Sequence, residues 1–414
     1  MFGKLFIKEC RQTLGSLVYW FIVLVLIFNF TSQIGDLKIM PEPKKGQGDY
    51  GYKKSKDKDV IMRTTLGKLL EEYSRKNYTT YPIGFYKNVI LDKGKDEKIG
   101  EIIEEATGIS GRAEVDRAVN HWYDAQQNGN RTLVKVNNME VEPREGLTYK
   151  RFEELMEEAD GILGGGSDYG EDCRGQNAMV PMTYEDAMEE YRELTQKDRL
   201  TGGYARLFSD YMVIFLGILP VFLAVTRCLR DKRAGMQDLI YTRNCSSASI
   251  IASRYLAMIV MLVIPVLVIS VIPLSKCLKY AEAAGISTDV FAYVKYTIGW
   301  ILPTIMIVSA VGMVFTELTD TALAVLVQGV WWFVSIFGGA GDIGGGVYGW
   351  NLVPRHNTEL NWSVYHENFF QLASNRILYV LAAVILTLMT VLIYSQKRKG
   401  RYRMAWNGIG RLKK

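Results

Sequence analysis

Arg227–Ile250 reads RCLRDKRAGMQDLIYTRNCSSASI. These 24 residues join two long apolar stretches and carry Arg227, Arg230, Lys232, Arg233 and Arg243. Basic residues concentrated at the ends of apolar stretches mark the cytoplasmic side of a membrane protein. Four of them, Arg227 to Arg233, need no further explanation. Ala234–Thr242 (AGMQDLIYT) asks for more, because Met236, Leu239 and Ile240 fall at i, i+3 and i+4. That spacing predicts a short amphipathic helix whose apolar face docks on a partner, with Asp238 and Arg243 pairing across the interface. A linker needs no such face.

Working outward, six apolar stretches are long enough to cross a bilayer: Leu17–Ile34, Phe208–Thr226, Ile251–Leu274, Tyr296–Phe315, Thr321–Gly338 and Ile377–Tyr394. The chain therefore reads as an α-helical polytopic membrane protein. Its six transmembrane helices flank a mostly α extracellular domain between the first and second. Residues 1–16 form an interfacial helix with Lys4, Lys8 and Arg11 on its polar side. Residues 17–34 are the first span and 35–206 the outer domain. Residues 207–395 hold spans two to six, and 396–414 a basic tail. With six spans, both termini and the 227–250 loop share the cytoplasmic side.

Charge follows the same division. Of 49 Lys+Arg and 44 Asp+Glu, the segment Asp36–Arg206 holds 27 and 33, leaving 22 basic against 11 acidic residues elsewhere. The overall +5 is membrane sidedness and no sign of nucleic-acid binding.

Within the outer domain, Thr64–Tyr73, Ala113–Gln127, Tyr149–Leu163 and Tyr184–Leu194 have helical periodicity, and Thr183 is a cap for the last. Phe85–Leu91 and Thr132–Val136 read as short strands, and Lys44–Asp59 as a mobile lead-in. Beyond the fifth span, 339–375 holds GGAGDIGGG, Trp350 and Trp362, and reads as a re-entrant outer segment.

Chemistry-bearing motifs are sparse. Gly161–Ser167 (GILGGGS) lacks the lysine of a P-loop and closes a helix. Gly339-Ala-Gly341-Asp-Ile-Gly344 matches GxGxxG but follows an apolar span instead of a strand, so its glycines read as turn formers. There is no GxSxG, and His121, His356 and His366 are scattered. The acids of Glu153–Asp160 read as a solvated helix face. Five cysteines show no metal-ligand spacing, and Cys173 and Cys277, the two that face outward, read as separate thiols. No catalytic or metal residue and no bound cofactor is expected. Asp210, Lys295, Glu317, Asp320 and Arg376 sit at span ends, leaving no ionisable group mid-span for ion coupling. Asn29, Gln328, Trp331, Trp332 and Ser335 are candidates to line a translocation path, set against plain interhelical packing.

With Asp231, Gly235, Leu239-Ile240, Ser246-Ser247 and Arg254 in this order, the loop resembles that of ABC-2-type permeases, the membrane subunits of bacterial ABC exporters. Asn351-Leu352 with Arg355, Asn375-Arg376, and Tyr394 with Lys397-Arg398-Lys399-Gly400 extend the resemblance to the last span. The resemblance covers about half the chain and leaves the outer domain unmatched. It implies a non-catalytic permease in the bacterial plasma membrane, exporting a peptide, drug or lipid-like compound. Its partners would be a second permease subunit and an ABC ATPase carrying ATP and Mg. That ATPase would dock on Arg230, Asp231, Gly235, Met236, Asp238, Leu239, Ile240 and Arg243. The rival reading is a membrane-anchored receptor or assembly factor whose outer domain binds a ligand.

Overall fold

Apolar runs with few charges must satisfy their backbone groups internally, and the helix is the way to do so within one segment. The computed structural model describes residues 2–81, 86–128, 139–171, 173–337, 346 and 348–401. In chain order its helices are α1 (Phe2–Leu14), α2 (Leu17–Gln33), α3 (Lys58–Arg75), α4 (Lys93–Thr107), α5 (Arg112–Asn128), α6 (Tyr149–Leu163), α7 (Tyr184–Arg192) and α8 (Thr201–Leu216). They continue with α9 (Leu219–Arg233), α10 (Gln237–Tyr241), α11 (Ser247–Ala284), α12 (Ala292–Tyr296), α13 (Leu302–Thr319), α14 (Leu323–Phe337), α15 (Trp362–Glu367) and α16 (Phe369–Arg398). The strands are β1 (Tyr52–Lys54), β2 (Tyr78–Thr80), β3 (Lys87–Val89) and β4 (Met179–Pro181). The protein is thus mostly helical.

Two compact units result. The first combines Met1–Pro41 with the chain from Glu190 onward, and the second is built from Glu42–Glu189. In the first, α11, α12–α13 and α16 are each long and apolar enough to cross a membrane. Two bent pairs, α1–α2 (66°) and α8–α9 (43°), raise the number of candidate spans to as many as five, and α14 is a shorter apolar helix.

The α8–α9 bend has a legible cause. Pro220 has no N–H to donate back into α8. Around it the ladder tightens: the Ile218 N–H goes to the Phe215 carbonyl and the Val221 N–H to that of Ile218. The carbonyls of Ile214 and Gly217 are thereby freed. Trp332 Nε1 donates to the first at 2.7 Å and Gln328 Nε2 to the second at 2.6 Å. Both donors lie on one face of α14, a turn apart, matching the spacing of the two carbonyls.

The second unit packs α3, α4, α5 and α6 around Leu66, Leu70, Ile103, Phe152 and Met156. Two antiparallel pairs complete it, β1 with β4 and β2 with β3. Thr148 caps α6, accepting the Arg151 N–H at 3.3 Å, and Gly164–Gly166 end it with φ values of +100°, +85° and +74°. The GILGGGS segment is therefore a helix stop. At the start of α7 the Thr183 hydroxyl accepts the Asp186 N–H at 3.2 Å.

Several expectations are corrected. Lys44–Asp59 contains β1, held by its pairing with β4. The helix expected at Tyr184–Leu194 passes into a π-helical turn at Glu193–Lys197. α4 carries only four buried side chains among many charges, and its periodicity escaped notice. The strand expected at Thr132–Val136, the GxGxxG segment and most of the 396–414 tail lie outside the described residues. Cys10, Cys228, Cys245 and Cys277 are free thiols.

Candidate functional site

The apolar segments end in charged residues, and the first unit gathers these into two layers, one at each end of its long helices. The larger lies where α9, α13 and α16 finish and α11 begins. α9 runs past its apolar part to Arg233, so Arg227 and Arg230 are helical and their cations oppose the negative end of the helix dipole. α1 lies against α11, burying Glu9 and Thr13. The Glu9 carboxylate takes a hydrogen bond from Arg227 and lies 3.9 Å from both Arg230 and Arg254. Gln12 Oε1 accepts from Arg227 and Arg230. Asp231 bridges Arg254 at 2.7 Å and Arg230 at 3.2 Å. Lys397 reaches Asp320 at 2.6 Å and Glu317 at 3.6 Å, and Lys232 approaches Asp320 at 3.5 Å. Pairing of this kind offsets the cost of burying charge.

The loop sits on this platform. α9 closes at Gly235, whose φ of +64° suits only glycine without strain. Ser246 opens α11, its hydroxyl accepting the Ser249 N–H at 3.1 Å. Between them, Arg398 of α16 takes the final carbonyl of α10 and two carbonyls beyond it. Its guanidinium donates to the carbonyls of Tyr241 (2.7 Å), Arg243 and Cys245. Burial raises the Tyr241 hydroxyl above its ordinary pKa, so it stays neutral against Tyr394 at 5.5 Å.

This arrangement splits the expected docking residues. Arg230 and Asp231 are committed to the ion network. Met236 and Leu239 are exposed, as are Asp238 and Arg243. Ile240 instead turns inward and packs on the apolar core. Met236, Leu239 and Ile240 thus do not form one face.

Of the candidate path residues, two meet the α8–α9 bend. Gln328 and Trp332 serve its freed carbonyls, and Asn29 donates to the Tyr211 carbonyl at 2.9 Å. Ser335 is buried, and Trp331 packs on Tyr379 at 5.8 Å between centroids.

At the other end of the helices, Arg206 meets Asp198 at 2.8 Å, and Asp210 accepts the backbone N–H groups of His356 (2.6 Å) and Asn357 (2.5 Å). Sequence reading passed over Glu9, Asp198 and Arg206. A signal existed for Glu9: it is the sole acid before Asp36. Among the described residues no three His, Cys, Asp or Glu side chains are grouped to hold a metal ion.

Compared with known proteins, the chain matches no protein-family model, no curated protein and no solved structure.

Proposed function

We propose that this chain is the membrane permease of an ATP-driven exporter, with the 227–250 loop as the docking point for a separate ATPase. The observation that carries the reading is the loop's construction. Arg398 and Asp231 hold it from behind while Met236 and Leu239 remain exposed in front. Exposed apolar side chains on a braced, charged segment suit a partner surface.

In this reading α2, α8–α9, α11, α12–α13, α14 and α16 are six spans, and α1 lies in the interface. The layer around Glu9 and Arg254 faces the cytoplasm, as its excess of cations favours. Residues 35–206 form an extracellular domain between the first two spans. The permease works as a dimer, and the cargo is amphipathic. Closure of the bound ATPase moves α10, and the Arg398 and Asp231 links carry that movement into α16, α9 and α11 as rigid bodies.

The test is copurification of the tagged chain in mild detergent. Wild type should bring down a stoichiometric ATPase, and Met236→Asp/Leu239→Asp should lose it with unchanged melting. Retention of the ATPase by the double variant, or a wild-type preparation free of any ATPase, would sink the reading.

A further inference from the structure

A π-helical turn, Thr297–Ile301, interrupts the segment between α12 and α13. Such turns are rare and tend to occur at functional positions. At this one, nothing lies within 4 Å of where a Cβ on Gly299 would stand. The space belongs to a cavity of about 490 Å³, in the size range of small-molecule sites. Its walls include Tyr296, Trp300, Tyr365 and Phe369, and no lining residue is acidic.

Two further observations define the chemistry. Arg376 lines the cavity and is buried, yet its hydrogen bonds all go to neutral acceptors. They are Asn375 Oδ1, Thr304 Oγ1 at 2.8 Å, and the carbonyls of Trp300 (3.2 Å) and Asn351 (3.1 Å). Arg206, Arg227 and Arg254 each meet a carboxylate, whereas Arg376 meets none among the described residues. An arginine keeps its proton in proteins, so this charge stands uncompensated in a poorly solvated place. Phe369 and Ile377, exposed apolar side chains on α16, line the cavity, as does Lys295, itself paired with Asp289.

We propose that this cavity binds an anionic membrane phospholipid. The phosphate lies in the field of Arg376 and Lys295, while an acyl chain runs along Phe369 and Ile377. Aromatic residues suit such a place at the membrane boundary. The proposal rests on the membrane part of the preceding reading and not on the ATPase.

The test uses the full chain in nanodiscs of equimolar dioleoyl-phosphatidylglycerol and dioleoyl-phosphatidylcholine, released into native mass spectrometry. Wild type should retain one phosphatidylglycerol with about a tenfold preference. Gly299→Trp, which fills the open space, should lose it at unchanged melting temperature. Equal retention of the two lipids, or full retention of phosphatidylglycerol by Gly299→Trp, would overturn the proposal. So would dissociation of a wild-type dimer by Gly299→Trp with no lipid released, since a second copy would then be the occupant. Alkaline carbonate separates the two readings. A chain that it extracts from membranes is no integral membrane protein, whereas an embedded chain without lipid preference loses this proposal alone.

Discussion

Arg398, in the last turn of α16, donates from Nε to the Tyr241 carbonyl at 2.7 Å, across 157 positions of sequence. With its further bonds to the carbonyls of Arg243 and Cys245, one side chain ends α10 and fixes the loop behind it. Arg398→Met should free that loop without disturbing the helices. Hydrogen exchange at Arg243–Ser246 should speed up by about tenfold or more, because charge-assisted hydrogen bonds are worth roughly 1.5–3 kcal/mol each. Unchanged exchange would mean that packing of Ile240 and Tyr241 holds the loop by itself.

Glu9 and Arg227 form a buried pair, so the cost of a single change should exceed that of a double one. Glu9→Leu alone leaves buried Arg227 without its carboxylate and should destabilise the first unit by about 3–5 kcal/mol. Glu9→Leu/Arg227→Met should recover a large part of that loss in a thermal melt in detergent. A double variant as unstable as the sum of the singles would show that the two side chains act independently.

Gln328→Leu removes the donor that serves the Gly217 carbonyl at the α8–α9 bend. An unmet buried acceptor costs about 1–3 kcal/mol, and the variant should melt earlier to that extent. Gln328→Glu should do worse, since a carboxylate cannot donate when ionised. Wild-type melting in both variants would show that the bend does not need this bond.

In the second unit, Glu72 is buried and accepts from the Tyr169 hydroxyl at 2.6 Å and the Thr79 N–H at 3.2 Å. Burial raises its pKa above the ordinary 4.5, outweighing the Tyr169 bond. The folded state therefore holds the proton more tightly than the unfolded one. Stability from this group is full below pH 4.5 and is lost as pH rises through the folded value. Glu72→Gln can accept from Thr79 and donate to Tyr169, so its melting curve should lack that decline. The difference between wild type and variant isolates the group from carboxylates such as Asp186, whose pKa its Lys53 partner lowers to about 2. A difference that does not change with pH would refute the assignment.

The apolar segments and the end of α6 were legible in sequence because each follows from a local rule: hydrophobic length and a terminating Gly164. The bend at Pro220 was equally local, yet its consequence was not. That Gln328 and Trp332 would serve carbonyls over 100 positions away depends on which helices become neighbours. Glu9 and Arg398 escaped for the same reason, since a charge near a chain end reads as solvated until its partner is known. The inward packing of Ile240 likewise depends on which core residues lie beneath the loop, which helical spacing does not show.

The Glu9–Arg227 pair also sets a timetable for synthesis. The carboxylate is made 218 residues before the guanidinium that neutralises it. At roughly 5–20 residues per second, that is a wait of about 10–40 s. During that interval α1 has every reason to stay at the water boundary, because its one acid has nothing to meet. Only when α9 and then α11 emerge can α1 settle. A ribosome that stalls before Arg227 therefore leaves a nascent chain whose first helix is still undocked and open to a protease.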